Sequence, residues 1–191
     1  MTRQVLLEAA NTMERFARRL SEFTSWFALG VLISVLLAVI ASALRANVLL
    51  SWGVDIPLFG DNLTVNDIID LEWHFFAIMV MVGGTYAYLD DRHVRSDLIY
   101  AGLSASRKKW VNTIGDVFLM MPFAAVMCWL STGFVMRSYN SGEGSDYGGM
   151  LDRFLIKSTI PIGFAILFLV ILARVVRRLL DDETLQESQE N

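Results

Sequence analysis

The sequence predicts an all-α integral membrane protein with four transmembrane helices, an N-terminal amphipathic interfacial helix, a short cytoplasmic helix between spans two and three, and both termini cytoplasmic. Three observations predict it. Apolar residues make up 54% of the 191-residue chain and are gathered into long uncharged blocks, rather than spread in amphipathic patterns as in soluble domains. Lysine and arginine alternate between poor and rich segments from one block to the next. The blocks themselves carry no charged side chain.

A helix needs roughly 20 apolar residues to cross the hydrocarbon, because lipid cannot satisfy exposed backbone groups. Phe23 to Leu44 meets this without a charge. Phe75 to Leu89 is shorter, with Glu72, Trp73 and His74 at its mouth. Val117 to Met136 is a full span, and Ser158 to Ala173 is bracketed by Lys157 and Arg174, whose long stems can snorkel to the interface. The spans fall at about 23–44, 73–89, 117–136 and 158–174 within one domain, 1–180. The polar, acidic tail 181–191 reads as disordered.

Orientation follows from the cations in short flanks. Arg3, Arg15, Arg18 and Arg19 precede span one; Arg92, Arg95, Arg107, Lys108 and Lys109 lie between spans two and three; Arg174, Arg177 and Arg178 follow span four. With the N-terminus inside, 12 of the 16 cations are cytoplasmic. Ala41-Ser42-Ala43 resembles a signal cleavage site, but the apolar stretch before it is longer than a signal core, so the first span reads as a retained anchor.

Between the spans, Val5, Leu6, Ala9, Met13, Phe16, Leu20 and Phe23 recur at helical spacing and form one apolar stripe. Such a helix can lie in the interface or bind a partner. The first outer loop, Arg45 to Glu72, is acidic and punctuated by Gly53, Pro57 and Gly60, without the ligand spacing of a calcium loop. The second, with Ser141 to Gly149, reads as a flexible loop, since its glycines do not stand between a strand and a helix. On the inner side, Ser96 or Asp97 can cap a short helix. The next helix begins after Ser106 and can run unbroken from 107 to 139, about 50 Å, with Pro122 placed to kink it.

Several function classes are disfavoured. Net charge is -4, with no basic run interleaved with aromatics, so nucleic acid is not an expected partner. The single cysteine, Cys128, rules out disulfide frameworks and thiolate metal sites within the chain. A redox anchor would need histidines facing each other, but His74 and His93 stand about 28 Å apart along a helix, so no haem is expected between them. Such an anchor remains the alternative reading, and a haem absorption band would revive it. Hydrolase motifs are missing too. The residues therefore point to an accessory membrane subunit that is not an enzyme and carries no cofactor.

The stretch from Glu72 to Asp97 adds a resemblance. An acid (Glu72), aromatics (Trp73, Phe75, Phe76), an apolar span with Gly83 near its middle, then His93-Val94-Arg95-Ser96-Asp97-Leu98 resemble the small, DctQ-like membrane subunit of tripartite ATP-independent periplasmic (TRAP) transporters. Ser96 departs from that pattern, which has an apolar residue there. The resemblance implies a bacterial inner membrane location and two partners: a large membrane subunit carrying substrate and ion sites, and a periplasmic substrate-binding protein. It also implies a role bracing the large subunit during ion-driven uptake of an organic acid. Arg92, His93, Arg95 and Asp97 then face the partner or membrane lipids, or else Asp97 is a helix cap and the arginines obey the positive-inside rule. Glu72 pairs with a partner cation or sits solvated at a helix start. Gly83 and Gly84 allow close helix approach.

Overall fold

All four apolar blocks are helical, and α1 (Thr2–Ser25) and α2 (Phe27–Ala43) follow one another with only Trp26 between them. The Trp26 and Leu29 amides each reach back three residues, to Phe23 O and Trp26 O, so the junction is one tightened turn. The computed structural model describes residues 2–91, 100 and 102–187. Arg92, His93, Arg95, Asp97 and the short helix expected from Ser96 or Asp97 lie outside the described residues.

The loop after α2 corrects the all-α expectation. β1 (Val48–Ile56) and β2 (Gly60–Thr64) form an antiparallel hairpin. Register shifts between Val48 and Leu50 and between Ser51 and Ile56 break the alternation by which a strand is recognised. β2 leads directly into α3 (Val65–Leu89), which opens on a capping box: the Asp67 amide donates to Thr64 Oγ1 at 3.3 Å, and the Thr64 amide to Asp67 Oδ2 at 2.6 Å.

The long third helix is present. α4 (Ala105–Gly115), a π turn (Asp116–Met120) and α5 (Met121–Ser141) run on without a break. Pro122 has no N–H for the Phe118 carbonyl and its ring crowds that carbonyl. The chain answers with a widened turn, in which the Met121 amide reaches back five residues to Asp116 O. A single turn, α6 (Phe154–Lys157), then precedes α7 (Thr159–Glu187), which continues through the boundary expected at Asp181.

Four helical stretches are long and apolar enough to cross a membrane: Arg3–Ala43, Val65–Leu89, Ser106–Ser141 and Phe154–Leu180. They form a row one helix deep. α2 packs on α3, α3 on α7 and α7 on α5, while the outermost helices, α2 and α5, make no substantial contact. Each helix in a row keeps two faces uncovered, and Leu32, Leu36, Ile40, Phe123, Trp129 and Phe134 are exposed accordingly.

α1 crosses the row at one end and packs on both α3 and α7. Its inward face is small (Ala10, Ala17, Ser21, Thr24), whereas Val5, Leu6, Phe16 and Phe23 of the predicted stripe are exposed. Below it lies the best-packed region, with Ala17, Tyr88, Leu89, Ala124, Val170, Ile171 and Val175.

Close helix approach occurs at Gly163, where a Cβ would stand 2.9 Å from Met81 Cβ, and at Gly30, beneath the Phe75 ring. Among the described residues, nothing lies within 4 Å of the Cβ position of Gly83 or Gly84. Gly163→Val is therefore expected to lower stability by about 1–3 kcal/mol through forced separation of α3 and α7. Gly83→Ala should change it little. Thermal unfolding in detergent micelles separates the two.

Candidate functional site: a polar clamp at the terminal end

α1 begins and residue 180 of α7 lies at the same end of the molecule, where Arg3 Nη2 donates to Leu180 O at 3.0 Å. α3 also ends here, and its last carbonyls need donors. Arg174, 8% exposed, supplies them. Nη1 donates to Tyr88 O at 2.7 Å and Nη2 to Leu89 O at 3.1 Å, while the same two nitrogens reach Asp91 Oδ1 and Oδ2 at 3.3 and 3.2 Å. The guanidinium also lies over the Tyr88 ring, 5.1 Å from its centroid. The sequence placed Arg174 at an interface with its head in water. Instead it turns inward, because a helix C-terminus presents negative partial charge that a fork of N–H donors matches.

One turn further along α7, Arg178 Nη1 donates to Asp116 Oδ2 at 2.5 Å, and Tyr88 Oη donates to the same oxygen at 2.7 Å. Asp116 is buried and opens the π turn, so the irregularity forced by Pro122 lies where the third helix meets its neighbours. Arg177 Nη1 binds Glu14 Oε2 of α1 at 2.8 Å, and Arg18 of α1 binds Asp90 at 2.5 Å. Three cations of one helix, with Arg18 of another, thus join α1, α3, the π turn and α7. These side chains are committed to one another, and the chemistry of the cluster is that of a clamp.

The opposite end is tied as well, which corrects the reading of Ser141 to Gly149 as a flexible loop. The Leu151 amide donates to Leu58 O at 2.8 Å, Asn66 Nδ2 to Tyr147 O at 2.6 Å, and the Met150 amide to Asp70 Oδ2 at 3.0 Å. Arg153 pairs with Asp146 at 2.7 Å, and Lys157 with Glu143. The Lys157 ammonium, with help from Ser138, holds the Glu143 carboxyl below its ordinary value, and Asp146 raises Arg153.

Of the predicted site residues, Glu72 is half-buried near this end with no ion-pair partner among the described residues. Gly83 and Gly84 face open space. His74 Nδ1 lies 2.6 Å from Asp70 O, and its Nε2 is buried without a partner among the described residues. No group of three metal-ligating side chains is found among the described residues. Sequence reasoning missed Tyr88, Asp116, Arg174, Arg178 and Glu14. A signal was present: acids follow span two and precede span three, and arginines follow span four, all at one end.

Four apolar helices in a row, clamped by charge at one end and by loop pairing at the other, define a multi-pass helical membrane protein. The family model for tripartite ATP-independent periplasmic transporters, DctQ component, matches residues 57–181, from the hairpin turn into α7. The chain belongs to this family and is thus one component of a three-part transporter. No curated protein and no solved structure matches it.

Two outcomes are expected. Asp116→Ala removes the carboxylate that Arg178 and Tyr88 share in a buried site and should cost about 3–5 kcal/mol. A double-mutant cycle with Arg178→Met should recover about 1–3 kcal/mol as coupling in thermal unfolding. At the other end, a lowered carboxyl stabilises fully above its unfolded value, 4.5, and loses that contribution as pH falls through the folded one. Amide exchange across residues 143–157 should therefore accelerate below about pH 4.5, and Glu143→Gln should flatten the step.

Proposed function

We propose that this chain is the small membrane subunit that braces the large permease subunit of a TRAP transporter during binding-protein-dependent, ion-gradient-driven uptake of an organic acid. The carrying observation is the row. Helices one layer deep leave two broad apolar faces, and a large neighbouring membrane protein is a natural cover for one of them. The clamp keeps the row rigid, as a brace requires, and family membership supplies the setting.

The cation bias supports an orientation with both termini in the cytoplasm, in the bacterial inner membrane. The clamp then lies at the cytoplasmic interface, and the hairpin with residues 142–153 on the periplasmic side, where the binding protein arrives. The first part of α1, with Val5, Leu6 and Phe16 exposed beside Arg15 and Arg19, suits the inner membrane surface. Arg92, His93, Arg95 and Asp97 belong to that same side and are assigned to contacts with the large subunit or lipid headgroups. Glu72, at the periplasmic end of α3, is assigned to a partner cation.

Co-expression with a large TRAP membrane subunit is expected to yield a complex that survives detergent extraction. In proteoliposomes that complex should take up the organic acid only when binding protein and an ion gradient are present. Uptake unchanged when this chain is omitted would contradict the reading.

A further inference from the structure

Helix register places one carboxylate at a depth where composition placed no charge. Ser21 Oγ donates to Val82 O at 3.2 Å, and the Phe27 and Phe75 rings meet at 5.2 Å, so residues 21–27 run beside residues 75–82 of α3. Val82 is the midpoint of the uncharged stretch Phe75 to Leu89, about 10 Å of helix from either end. Met81 lies against Gly163 in α7, and Phe164 against Phe123 in α5, 5.7 Å between centroids, so the same level lies within the apolar stretches of the other spans. Glu22, next to Ser21, therefore stands level with the middle of the row, although it immediately precedes the first span as read from composition.

Glu22 is exposed, and its carboxylate has no hydrogen-bond or ion-pair partner among the described residues. It borders an open groove of about 410 Å³ between α1–α2 and α3, walled by Ser25, Ala28, Met79, Gly83 and Tyr86. The neighbouring hydroxyls are already bonded within the chain: Ser21 to Val82 O, Thr24 to Ser21 O at 3.1 Å, and Ser25 to Glu22 O at 2.6 Å. Glu22 is the one charged group among the residues that line this groove, whose other walls are hydroxyl-bearing or apolar.

We propose that this groove seats a transmembrane helix of the large subunit carrying a lysine or arginine that pairs with Glu22. This rests on the subunit reading above and names the contact within it. A carboxylate at such depth is unfavourable against lipid tails and calls for a cation. Small walls at Ser25, Ala28 and Gly83 let a helix backbone approach closely, and no described atom lies within 4 Å of the Cβ position of Gly83.

The test is co-purification of the tagged chain with the large subunit, combined with a photo-reactive side chain at Ser25. Wild type and Glu22→Asp should recover the complex and cross-link to the large subunit. Glu22→Gln should lower recovery roughly tenfold and Glu22→Lys more, while the yield and unfolding temperature of the chain alone stay unchanged. Full recovery with Glu22→Gln, or cross-links from Ser25 only to lipid or to a second copy of this chain, would overturn the groove contact and leave the subunit reading standing. Failure of the wild type to recover any large subunit would remove the subunit reading and the groove contact together.

Discussion

The pairing of α7 arginines with acceptors on three other elements is the interaction on which the rest of the structure depends. A row of helices has no enclosed core to fix its order. Between apolar helices in lipid, burial of hydrocarbon gives little preference for one neighbour over another. What sets this row is a directional contact at its end: Arg174 closing the C-terminus of α3, and Arg178 with Tyr88 holding the π turn through Asp116. Remove these and α3, α5 and α7 keep their helicity but lose the reason for their order.

The two ends are built differently, in keeping with their surroundings. At the terminal end, Arg174 and Asp116 are buried and the donors are long arginine side chains and Tyr88, so the clamp orients whole helices. At the other end, backbone amides of one loop bond to the hairpin and to the first turns of α3. That end fixes loops, and its charges stay near water, where each pair contributes less. The sides between the two ends are left apolar and uncovered. A protein made this way holds its own shape and presents surface to another membrane protein, which suits one component of a tripartite transporter.

Most of the fold was legible because length and apolar composition are direct requirements of the bilayer. Pro122 announced an irregularity, although it produced a π turn where a simple kink was expected. The hairpin was hidden by its bulges, which scramble the period that marks a strand. The clamp was hidden for a different reason. Arg174 and Asp116 look like ordinary flanking charges until the helices are set side by side, and a snorkelling arginine and an inward one have the same sequence. Glu22 shows the same limit in another form: composition put the first span at 23–44, whereas contacts with α3 put residues 21–27 level with its centre. Depth is a relation between helices and cannot be read along one of them.

The row itself is the claim to test most directly. Spin labels at Leu29 in α2 and Leu130 in α5, both exposed, can be measured by pulsed electron–electron resonance in lipid nanodiscs. Three interaxial steps of 8–10 Å place these two helices roughly 24–30 Å apart in a row, whereas closing the row into a four-helix bundle would make them neighbours about 8–10 Å apart. A distance distribution centred well above 20 Å is the predicted result, and one centred near 10 Å would contradict it.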